Sequence, residues 1–257
     1  MPTAYSERPP RGGLCLYLLL AQSGNCGSGA LALPQWTTTT LAEMAPQFSW
    51  DYDRTEILAD SIVHVIGVIM AIAGGSLLIV IAVHTGNIVR LIAVAIYLAG
   101  LLAMFCFSAV YNLWPVSQFK WSLRRVDHSA IYLLIAATYT AFMLPVYGAG
   151  PVIVLAIVWA AALAGMTIKL LWPGRFDRAS IVLYLVLGWS GVFTIGLVAA
   201  ALAPITLFLI AAGGILYSIG VVFHVWSALR FQNAIWHGFV LTGAGCHYAA
   251  VLTSLAG

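Results

Sequence analysis

The sequence predicts an all-α bundle of seven transmembrane helices with the N-terminus in the cytoplasm and the C-terminus outside, on three observations. First, the 257-residue chain is 62% hydrophobic and only 7% charged, with a mean hydropathy of +1.00. That leaves too little polar surface to cover a water-soluble globule, so membrane lipid is its solvent and its first partner. Second, seven stretches reach the roughly 20 apolar residues that an α-helix needs to span the hydrocarbon core. Third, the basic residues fall almost entirely into alternate connections between those stretches.

The spans are expected near 57–83, 88–114, 126–146, 151–172, 180–201, 205–226 and 233–255. Arg8, Arg11 and Arg54 precede the first; Lys120, Arg124 and Arg125 lie between the second and third. Lys169, Arg175 and Arg178 flank the fourth-to-fifth connection, and Arg230 joins the sixth and seventh, which leaves Arg90 alone on the opposite side. Cytoplasmic loops hold the excess of Lys and Arg, which sets the orientation stated above. It is the reverse of a G-protein-coupled receptor.

Residues 1–50 are rich in Gly, Ser, Thr and Pro around an apolar run, 14–21, too short to span. They are expected to form a disordered extension, read either as native or as the product of a start codon upstream of Met44, with the membrane domain occupying 51–257. The formal charge of +3 includes no basic run, so no nucleic-acid partner is expected. Cys15, Cys26, Cys106 and Cys246 form no CxxC pair and carry no redox or zinc-knuckle signal.

Polar side chains within a span cost about 2.5–3.5 kcal/mol on insertion scales, so each needs a reason. Asp60 and His64 on the first span, Ser108 and Asn112 on the second, and Asn233 and His237 on the seventh are pairs at i and i+4, each on one helical face. Asp127 and His128 open the third. With the predicted alternation, all of them fall in the cytoplasmic half. His247 continues the polar face of the seventh helix within an arc of about 80°. His84 and His224, at span ends, are expected to be interfacial. His237, His64 and Asp127 are the candidate metal ligands, because a carboxylate and two imidazoles from three helices can converge on one cation. Asp127 is also the candidate catalytic base. Asp60, Ser108, Asn112, Asn233 and His247 complete the expected pocket.

These blocks, EILADSIVH (56–64), SAVYN (108–112), LRRVDHSAIYLLIAATYTAF (123–142), YSIGVVF (217–223) and NAIWHGFVLTGAGCHY (233–248), resemble the hemolysin III family. That family is the bacterial branch of the progestin and adipoQ receptor superfamily, which includes the adiponectin receptors. The resemblance implies a multi-pass protein of the bacterial plasma (inner) membrane. It also implies a zinc ion near the cytoplasmic side, held by one His of the second span and a His-x-x-x-His pair of the seventh, with an Asp opening the third. Carried onto this chain, those positions are Asn112, Asn233, His237 and Asp127, and Ser108 matches the family serine. An amide oxygen is a poor zinc donor beside imidazole. Two readings follow: zinc held by His237, His64 and Asp127 in a lipid-amide hydrolase resembling the superfamily's ceramidases, or a metal-free pocket with His237 paired to Asp127 in a non-enzymatic lytic factor or receptor-like sensor.

Overall fold

The structure is a computed structural model and describes residues 53–115, 117–172, 176–226 and 228–256. The expected N-terminal extension, the start at Met44, and Cys15 and Cys26 lie outside these. Among the described residues there are helices and no strands: α1 (Arg54–His84), α2 (Ile88–Leu113), α3 (Gln118–Met143), α4 (Ala149–Leu171), α5 (Asp177–Trp189), α6 (Gly191–Val198), α7 (Pro204–Val225) and α8 (Gln232–Ala256). Counting α5 and α6 as one segment, Asp177–Val198, six segments are long and apolar enough to cross a membrane. The seventh, α3, is 26 residues long but opens with Lys120, Arg124, Arg125, Asp127 and His128, which lower its hydropathy.

The helix starts follow local chemistry. Asp53 caps α1 in a capping box: its side chain accepts from Thr55 N–H, and Glu56 Oε2 accepts from Asp53 N–H at 3.0 Å. The Thr55 hydroxyl and N–H hold the Asp53 carboxyl below its ordinary pKa. Asn87 caps α2 through Val89 N–H and Arg90 N–H, after a turn in which Gly86 adopts φ +64°. Ser117 caps α3 eight residues or more before the apolar stretch, so the charges ride on an extra two turns of helix.

The first four helices pack in sequence, α7 meets α5, α8 returns against both α7 and α1, and α3 touches α2, α4, α5, α6 and α8. The core is built on Tyr97, Leu78, Val94 and Val251. Close approach relies on small residues, as expected where lipid gives helices no hydrophobic drive to associate. A Cβ at Gly165 of α4 would fall 2.5 Å from the Tyr132 ring of α3, and one at Gly213 of α7 would fall 2.5 Å from His247. Isoleucines at 62, 66, 69 and 72 of α1 are exposed, which suits a lipid-facing surface.

The fifth span differs from the uninterrupted 180–201 expected. It breaks at Ser190, between Gly188 and Gly191, both weak helix formers. The Tyr139 hydroxyl donates toward Leu187 O (3.0 Å) and Gly188 O (3.3 Å) and meets Ser190 Oγ at 2.9 Å. A break inside a membrane requires such internal partners for the freed carbonyls.

Candidate metal centre

The site grows from the first two turns of α1. Asp60 and His64 lie one turn apart on the inward face and are 6% and 3% exposed, buried although both are polar. α8 enters beside them because Glu56 Oε1 accepts Phe231 N–H at 2.8 Å and Arg230 pairs with Asp53 at 3.4 Å. Phe231 takes a left-handed φ of 60°, and Gln232 donates its side-chain amide to His224 O. These ties fix the start of α8, and with it His237 one turn inside.

His237 Nδ1 lies 2.6 Å from Asp60 Oδ1. An ionised carboxylate only accepts, so the imidazole donates. His64 Nε2 is 3.6 Å from Asp60 Oδ2, too far for a hydrogen bond, and is shut off from solvent with no hydrogen-bond partner. The two imidazole centroids are 4.3 Å apart with ring planes at 56°. One ligand atom each from Asp60, His64 and His237 lies within 4.8 Å of the others, the one such group among the described residues. Ligands sharing a tetrahedral zinc at bonds of about 2.0–2.1 Å stand about 3.3 Å apart. With Asp60 Oδ1 as the ligand, the 2.6 Å pair therefore has to open slightly. A carboxylate with two imidazoles is an open zinc donor set that leaves a fourth position, and the unpartnered His64 nitrogen is what such an ion would satisfy.

The carboxylate grouped with His64 and His237 is Asp60 rather than Asp127. Asp60 shares a face with His64, whereas Asp127 Oδ2 turns toward His128 Nδ1 on its own helix, at 3.4 Å. Ser108 of α2 and His237 are both near enough to Asp127 to act on it electrostatically. Asp127 thus stands beside the trio. The expected pairing of His237 with Asp127 in a metal-free pocket is replaced by the pairing with Asp60.

Asn112 folds its amide back on its own helix, donating to Ser108 O at 2.9 Å. A cleft of about 190 Å³ leads to Asp60, and Glu56, Asn112, Lys120, Phe231 and Asn233 line it. His247 is not part of this site. Ten residues further along α8, about 15 Å, it contacts Ile210 O at 3.2 Å and meets the Tyr217 ring edge-on at 5.4 Å. His84 is exposed, as expected of an interfacial residue. His224 is not: its Nδ1 is buried without a partner and its ring lies 4.9 Å from Trp236.

Sequence reasoning missed the clamp made by Glu56. Its capping-box spacing from Asp53 was a readable signal, but the bond to Phe231 joins positions far apart in sequence. It also missed that Lys169 is buried, paired with Asp177, which bonds Arg124 at 2.9 Å as well.

The sequence profile of a family described as "Haemolysin-III related" matches residues 54–248. The chain is 36% identical over 198 residues to "Hemolysin-3 homolog" of Bacillus subtilis, covering 77% of this chain and 93% of that protein. It is 36% identical over 199 residues to "Hemolysin-3" of Bacillus cereus, covering 77% and 90%. Similarity extends to "Monocyte to macrophage differentiation factor" of Homo sapiens, 32% identical over 166 residues, covering 61% and 67%.

Proposed function

Since the chain belongs to the haemolysin-III-related family, we propose that it is a multi-pass protein of the bacterial plasma membrane whose Asp60, His64 and His237 hold a zinc ion for hydrolysis of a lipid amide. The observation that carries this reading is the buried, unpartnered His64 Nε2 facing a carboxylate and a second imidazole. The gathering of Arg54, Lys120, Arg124, Arg125, Lys169 and Arg230 at the end bearing the trio supports the reading that this end faces the cytoplasm, N-terminus inside.

When bound, the ion supplies Lewis acidity at the open position. Asp60 holds His237 in one orientation through its 2.6 Å hydrogen bond. Asp127, beside His128 at 3.4 Å, accepts a proton from the attacking water and passes it to the leaving amine. Asn112, through its side-chain oxygen, and Asn233, both on the cleft wall, face a polar headgroup, while the acyl chain stays against the apolar helix flanks.

One observation favours a metal-free, non-enzymatic pocket, that of a sensor or a lytic factor: the Asp60–His237 hydrogen bond is complete by itself. The deciding experiment is turnover of a fluorescent long-chain fatty-acid amide by purified protein, with and without a chelator. Hydrolysis that stops with the chelator, and that is lost in Asp127→Asn while zinc content is kept, is the expected result. Absence of hydrolysis in the zinc-loaded native protein overturns the enzymatic reading.

A further inference from the structure

At the same end of the bundle, away from the trio, two cations share one anion where α3, α4 and α5 meet, and a third cation, Arg125, follows Arg124 on α3. Asp177 of α5 bonds Arg124 of α3 at 2.9 Å and also Lys169 of α4, whose side chain is only 4% exposed. Arg125, the next residue on α3, lies two turns before Tyr132, on the face that packs against α4 at Gly165. The Arg125 guanidinium has no hydrogen-bond or ion-pair partner among the described residues, and its Nε is buried. Asp177 is thus shared by Arg124 and Lys169, and a half-buried Arg125 guanidinium with no acceptor among the described residues carries a desolvation cost that an anion would offset. Planar guanidinium groups match phosphate oxygens in pairs. Beside the cluster, Leu170, Leu171 and Trp172 are exposed apolar side chains at the end of α4, where acyl chains can lie.

We propose that Arg124, Arg125 and Lys169 form a binding site for the phosphate of an anionic phospholipid in the leaflet facing the basic end. The source is lipid rather than free phosphate because the cluster borders the exposed apolar flank of α4 and lies outside the cleft that leads to Asp60.

The test places the native protein in phosphatidylcholine nanodiscs with and without phosphatidylglycerol, and in phosphatidylcholine with inorganic phosphate, reading thermal stability. Lipid retention is read by native mass spectrometry. Phosphatidylglycerol should stabilise the native protein and be retained, while inorganic phosphate does neither. Arg125→Gln should retain phosphatidylglycerol about fivefold less well, Arg125→Lys should recover part of the loss, and Arg90→Gln, at the opposite end, should match the native protein. No preference for phosphatidylglycerol in the native protein overturns the proposal, without reference to any variant. So does equal retention by Arg125→Gln, or equal stabilisation by inorganic phosphate.

Discussion

Replacing His64 by leucine separates two effects that the site superimposes. In the metal-free protein His64 Nε2 is buried with no partner. An unsatisfied buried polar group costs about 1–3 kcal/mol, and leucine removes it. Leucine loses the contact with the His237 ring, 4.3 Å away between centroids, but the Asp60–His237 hydrogen bond is left in place. The metal-free variant should therefore be as stable as the native protein or more so, by up to about 3 kcal/mol. For a chain of this size each kcal/mol moves Tm by about 2–4 °C. With zinc the sign reverses. A ligand at a hundredfold excess over Kd stabilises the native state by about 2.7 kcal/mol, so native Tm should rise by about 5–11 °C. The variant, short of one of three ligands, should show little of that rise. The assay is tryptophan-fluorescence melting in detergent, with a chelator and with zinc. A variant that loses stability in chelator contradicts the view of His64 Nε2 as unpartnered. A variant that keeps the whole zinc-dependent rise contradicts its role as a ligand.

Glu56→Gln should weaken the acceptors for Phe231 N–H and Asp53 N–H, and so loosen the start of α8; a loss of about 1–2 kcal/mol, together with weaker zinc binding, is expected from melting curves and zinc titration. Unchanged zinc affinity would show that Glu56 does not position His237. Gly165→Ala drives a Cβ to 2.5 Å from the Tyr132 ring and should cost about 1–3 kcal/mol, whereas Gly245→Ala, with open space around its Cβ, should be neutral or stabilising; equal melting temperatures for the two variants would refute the packing argument. Tyr139→Phe removes the hydroxyl that serves the carbonyls at the Ser190 break, and should cost about 0.6–2 kcal/mol, read as a lower Tm in the same detergent.

Much of the fold is legible in the sequence because lipid imposes a length on every span and leaves little room for alternatives. The break at Ser190 escaped that logic, since its carbonyls are served by Tyr139 from another helix, a contact that hydropathy does not carry. The early start of α3 at Gln118 escaped it because a helix can extend beyond the apolar stretch on polar residues once Ser117 caps it. At the site, the i and i+4 spacing put Asp60 and His64 on one face, and in the structure His237 lies beside them. The spacing did not tell Asp60 from Asp127, because both carboxylates open spans from the same end and only the packing of α8 against α1 decides between them. His224 reads as interfacial from its place at a span end, and only the seating of Trp236 against its ring makes it an interior group.

The proposed metal centre is Asp60 with His64 and His237. Zinc stoichiometry of purified protein by elemental analysis tests it most directly, comparing the native chain with Asp60→Asn and Asp127→Asn. One zinc per native chain, its loss in Asp60→Asn and its retention in Asp127→Asn are the expected results. A native protein without zinc after loading, or zinc kept by Asp60→Asn and lost by Asp127→Asn, would contradict this assignment.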